Sequence, residues 1–132
     1  MLPITAFYAA LCALVFAGLT LGVVRARMRS KVLLGTGGDR MLERAVRAHA
    51  NFSEFVPLAL VLLALAEGLG LAAWALHALG AVLVLARIVH GIGISREPDV
   101  AALRGLGAVL TLSVVLLASL ALLALAAPRI LG

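Results

Sequence analysis

Apolar residues fill four long stretches of the chain, at about 3–24, 40–67, 72–94 and 100–127, and short polar clusters separate them. A helix rises about 1.5 Å per residue and the hydrocarbon core of a bilayer is about 30 Å thick, so each span needs roughly 20 residues. All four stretches meet that length. They predict an all-α fold, an integral membrane four-helix up-down bundle, and they use nearly the whole of residues 1–132 in a single transmembrane domain. Pro3 suits the first turn of helix one, where a missing N–H matters least. In the turn Leu34-Gly35-Thr36-Gly37-Gly38-Asp39, either Thr36 or Asp39 can cap helix two. Gly68-Leu69-Gly70 closes helix two, Ser95-Arg96-Glu97-Pro98-Asp99 forms a polar loop, and helix four ends at Pro128-Arg129.

Composition agrees with a bilayer as solvent. Of the 132 residues 64% are hydrophobic and only 13% charged, more apolar surface than a soluble domain of this size can bury. The net charge of +5 does not imply nucleic acid, because aromatic residues for stacking make up only 5% of the chain. Topology explains the basicity better. Nine of the eleven Lys and Arg residues lie in or beside loops one and three: Arg25, Arg27, Arg29, Lys31, Arg40, Arg44, Arg47, Arg96 and Arg104. Loop two has none, so loops one and three are expected in the cytoplasm and both termini on the opposite side. Met1-Leu2-Pro3-Ile4 lacks a basic signal-peptide start, and helix one is expected to be retained. The single cysteine, Cys12, excludes an intramolecular disulfide and a paired-thiol redox site.

The polar residues inside the spans carry the candidate chemistry. Arg47, Asn51 and Glu54 are spaced by four and then three residues, which places them on one face of helix two. Glu54 lies about 20 Å along the helix from Arg40, at or below the membrane surface. An ionised carboxylate at that depth needs a partner and marks a functional candidate, although the three side chains could instead hydrogen-bond helices together. Pro57 removes a backbone donor within the same helix, and a kink there would widen a cavity below the cluster. On helix three, Arg87 and His90 are three residues apart, with Arg87 roughly 10 Å below the helix end. Such an arginine calls for a carboxylate, and Glu54 is the candidate; Glu67 belongs at the opposite surface. His77 reads as a packing residue. Gly18 and Gly22 form a small-xxx-small pair that would allow close helix contact. The mostly cationic cluster does not suit a metal, and Gly35-Thr36-Gly37-Gly38 lacks the Lys that completes a phosphate loop. Guanidiniums, an amide, a carboxylate and an imidazole together suit an anionic ligand that also carries an ammonium group.

The segment Glu43-Arg44-Ala45-Val46-Arg47-Ala48-His49-Ala50-Asn51-Phe52-Ser53-Glu54-Phe55-Val56-Pro57 resembles the helix-two signature of the MAPEG family, the membrane-associated proteins in eicosanoid and glutathione metabolism. The resemblance extends from Gly22 through helix four, and the Gly35-Thr36-Gly37-Gly38 approach looks most like the small bacterial branch. It implies a homotrimer in a bacterial inner membrane, with glutathione as co-substrate in a cleft between subunits near the cytoplasmic face. Carried over by motif, Arg25, Arg47, Asn51, Glu54 and His90 would contact glutathione, with Arg104 as the catalytic arginine that stabilises the thiolate. Arg44, His49, Arg87 and Pro57 would support that site from around it. Lowering a thiol pKa of about 8.5 by two units takes roughly 2.7 kcal/mol, much of which one shielded arginine can supply. Ile94 stands where synthases of the family carry Tyr, and Ala50 where some members carry Arg, so general thiol transfer or peroxide reduction is expected ahead of eicosanoid synthesis. The implied function is a glutathione transferase or glutathione-dependent peroxidase acting on a lipophilic electrophile or hydroperoxide that arrives through membrane lipid. The alternatives are a small multidrug-type transporter with Glu54 as a proton-coupled cation site, and a ligand-binding trimer without catalysis.

Overall fold

The computed structural model describes residues 1–96 and 100–132, and in these all regular structure is helical. The loop-three expectation for Glu97, Pro98 and Asp99 lies outside the described residues. Four helices follow one another, α1 (Pro3–Ser30), α2 (Arg40–Gly68), α3 (Ala73–Ser95) and α4 (Ala101–Leu131). Each is long and apolar enough to cross a membrane. Packing contacts join α2 and α3 to each other and to both remaining helices, while α1 and α4 occupy opposite corners.

Local chemistry sets the helix ends. Asp39, not Thr36, caps α2: its carboxylate accepts from Leu42 N at 2.8 Å, while the Thr36 carbonyl accepts from Asp39 N at 2.9 Å. The expected end of α1 at Val24 is where the apolar run stops, yet the helix continues to Ser30. Arginine is a good helix former, and Arg27 and Arg29 in the last turn oppose the negative end of the helix dipole. Arg27 Nη1 then donates to the carbonyls of Leu33 and Gly35, at 3.1 and 3.0 Å, and holds loop one against the helix. At the other end, Leu71 N donates to Ala66 O and Gly70 N to Glu67 O, at 2.9 and 3.0 Å, the paired bonds of a Schellman motif. Gly70 supplies its left-handed residue, with φ 86°.

The core runs along the α2–α3 seam and includes Phe52, Val56, Leu63, Leu76, Leu83 and Val114. Large apolar side chains such as Leu14, Val61, Leu85, Leu112 and Leu116 point outward, as a lipid-facing surface requires. Among the described residues of one chain, close helix approach does not occur at Gly18 and Gly22, where an added Cβ meets nothing within 4 Å. It occurs on α3 and α4. A Cβ on Gly107 would lie 2.6 Å from Ala86 O and 2.7 Å from His90 N. One on Gly93 would lie 2.5 Å from Arg104 N. These two glycines bring the start of α4 against the end of α3 and so fix the wall of the candidate site.

Candidate functional site

The α3–α4 contact and the polar face of α2 enclose a cleft of about 420 Å³ lined by Arg47, Asn51, His90, Ile94, Ala101, Arg104, Gly105 and Ala108. Four of the six expected ligand-binding or catalytic residues therefore converge. A hollow of about 260 Å³, lined by Arg40, Glu43, Arg44, Arg47, Ile94 and Arg104, shares Arg47, Ile94 and Arg104 with it. Arg44 thus lies on a basic rim beside the cleft. Ile94 borders both hollows, at the position expected to distinguish this chain from the synthases.

His90 is buried, with Nδ1 3.0 Å from the Arg104 carbonyl oxygen. A carbonyl can only accept, so Nδ1 carries the hydrogen. In the neutral ring Nε2 is then an acceptor, and it is buried without a hydrogen-bond partner among the described residues.

Arg87 is 1% exposed. The expected pairing with Glu54 does not form. Instead Nη2 donates to Asn51 Oδ1 at 2.7 Å, Nη1 donates to Thr111 Oγ1 at 3.3 Å, and the guanidinium carbon stands 5.8 Å from the centre of the Phe52 ring. The reason lies in helix geometry: three residues turn a helix by about 300°, so Asn51 and Glu54 diverge by about 60°. Asn51 turns towards α3, while Glu54 is exposed. Neutral acceptors and an aromatic face thus solvate the buried cation in place of a carboxylate.

Arg25 also lies apart from the cleft. It lines a separate groove of about 310 Å³ with Gly22, Ala26, Arg29, Met41, Ala45 and Ser95. His49 stacks on Phe16 of α1, with ring centroids 4.6 Å apart. Pro57 borders an apolar hollow of about 340 Å³ between α1 and α2, together with Cys12, Phe16, Phe52 and Val56. The space beside this proline is thus on the α1 side and not below the polar cluster.

Sequence reasoning also missed the cap of α1. Glu67 caps α1, its two carboxylate oxygens accepting from Ile4 N at 3.0 Å and Thr5 N at 2.7 Å. Glu67 is far from α1 in the chain, and its capping role has no local sequence signal.

A model of the MAPEG family matches residues 5–126 of this chain. The chain belongs to the MAPEG family. Inner membrane protein YecN of Escherichia coli (strain K12) is 39% identical to it over 90 residues, which cover 68% of this chain and 69% of YecN. The YecN protein of Escherichia coli O6:H1 (strain CFT073) matches with the same identity and coverage. As a MAPEG protein the chain is an integral membrane protein, and its cleft takes Arg47 and Asn51 from the helix-two signature, His90 and Ile94 from α3, and the rest of its lining from the start of α4.

Proposed function

We propose that this MAPEG protein is a glutathione transferase or glutathione-dependent peroxidase of a bacterial inner membrane, with loops one and three on the cytoplasmic side. The reading is carried by the convergence of Arg47, Asn51, His90 and Arg104 on one cleft. Glutathione offers two carboxylates and two amide carbonyls, and the cleft offers two guanidiniums and an amide. The donor set fits the ligand.

Two of the proposed contacts, Arg25 and Glu54, lie outside the cleft of a single chain. A homotrimer reconciles this, with the exposed Glu54 and the Arg25 groove meeting clefts across subunit boundaries. An ionised carboxylate exposed on a membrane helix is costly against lipid, and glutathione's ammonium group is a suitable counterion.

In the proposed mechanism Arg104 favours the thiolate over the thiol, and the thiolate is the nucleophile. With an electrophile, a carbon–sulfur bond forms and the leaving group departs with its electron pair. With a hydroperoxide, sulfur attacks the terminal oxygen, the O–O bond breaks and the alkoxide leaves, becoming the alcohol as it takes up the proton the thiol gave up. A second glutathione then converts the resulting sulfenic acid to the disulfide with loss of water.

The test is glutathione consumption by the full chain in detergent or liposomes, with a lipophilic aryl halide in one assay and a fatty-acid hydroperoxide in another. Turnover of either above the uncatalysed rate, and its loss in Arg104→Ala, is the expected result. Glutathione binding without turnover of either substrate would favour a ligand-binding role.

A further inference from the structure

Resting on the glutathione reading, we infer that Arg87 is a positioning residue that makes Asn51 a hydrogen-bond donor towards the cleft. Arginine has five N–H donors and no acceptor, so the atom of Asn51 that meets Arg87 Nη2 at 2.7 Å is the amide oxygen. The amide is planar, so with its oxygen held by Arg87 its NH₂ group points in a second, fixed direction. Asn51 lines the cleft. Without Arg87 the amide could turn over and offer either end.

The surroundings hold the orienting group in place. Arg87 is held at a second point by Thr111 Oγ1, which itself donates to Gly107 O at 2.8 Å. This ties α2, α3 and α4 together through one side chain. The Phe52 ring borders the same guanidinium. A buried cation with only neutral partners is a poor stability device, because an apolar side chain of similar volume avoids its desolvation cost. Its directional effect on Asn51 is the property an apolar residue cannot replace.

The consequence is specificity. With the Asn51 amide fixed, Arg47, Asn51 and Arg104 all present donors, and the group read by Asn51 has to be a hydrogen-bond acceptor, which in glutathione is a carbonyl, a carboxylate or the thiolate.

A double-mutant cycle on the full chain in detergent tests this, with glutathione affinity measured by calorimetry and stability by thermal unfolding. Asn51→Ala and Arg87→Met should each weaken glutathione binding about tenfold or more, the scale of one hydrogen bond to a charged or polarised acceptor. The double variant should bind no more weakly than Asn51→Ala alone, because Arg87 acts through Asn51. Thr111→Val, which removes the other partner, should lower the melting temperature while leaving affinity within about twofold. Arg87→Lys should retain part of the affinity, and it serves if Arg87→Met does not fold. Losses that add in the double variant, or equal loss of affinity in Thr111→Val, overturn the inference and leave the glutathione reading standing. Absence of glutathione binding by the unaltered chain overturns both.

Discussion

His90 Nδ1 lies 3.0 Å from the carbonyl oxygen of Arg104, so the imidazole of α3 is bonded to the backbone of the residue whose side chain borders the same cleft. The contact fixes the ring and ties the start of α4 to α3. It also couples two residues proposed for different roles, His90 in glutathione binding and Arg104 in thiolate formation.

Replacing His90 with Phe keeps most of the ring volume and removes the bond. The expected loss of stability is about 0.5–1.5 kcal/mol, together with weaker glutathione binding. Thermal unfolding and a glutathione titration on the same preparation check both effects. A variant as stable as the parent would show that the bond does not hold the helices together.

Gly107→Ala should destabilise by about 1–3 kcal/mol, because the new Cβ meets the backbone of α3, which cannot move aside as a flexible side chain can. Gly18→Ala, with nothing within 4 Å of the added Cβ, should stay within about 0.5 kcal/mol. Unfolding midpoints in one detergent give the comparison. Equal losses at the two positions contradict the packing described for α3 and α4.

Glu67→Ala removes the acceptors of the Ile4 and Thr5 amides and should cost about 0.5–2 kcal/mol, as loss of a helix cap does. The effect is local. Hydrogen exchange at Ile4 and Thr5 should accelerate in the variant while the amides of α3 keep their protection. Unchanged exchange at the two capped amides would contradict the capping role.

Much of the fold is legible because membrane helices announce themselves by length and hydropathy, and Asp39 and Gly70 mark their ends by local chemistry. Side-chain partners across helices are less legible. Spacing puts Arg47, Asn51 and Glu54 on a common face, but it does not resolve the angle that sends Asn51 to Arg87 and leaves Glu54 exposed. Nor does a small-xxx-small pattern say which glycines another helix meets. Gly18 and Gly22 carry the pattern, whereas Gly93 and Gly107 make the contacts. Glu67 shows the same limit, since a cap supplied from a distant helix exists only after the bundle has formed.

The proposed division of roles separates binding from chemistry. Glu54→Ala should raise the KM for glutathione about tenfold or more with a smaller change in kcat, because it removes the ammonium's partner. Arg104→Ala should lower kcat by about 10²–10³ with a smaller change in KM, as loss of a charge-stabilising donor does. Steady-state kinetics over a range of glutathione concentrations separate these outcomes. Equal effects of the two variants on both constants contradict the division.

The most direct test of the central claim is the ultraviolet thiolate absorbance of glutathione titrated into the full chain in detergent near neutral pH, with Arg104→Ala alongside. The account predicts a saturable rise in absorbance for the unaltered chain, and bound but protonated glutathione in the variant. A chain that binds no glutathione, or binds it with the thiol still protonated, would contradict the account.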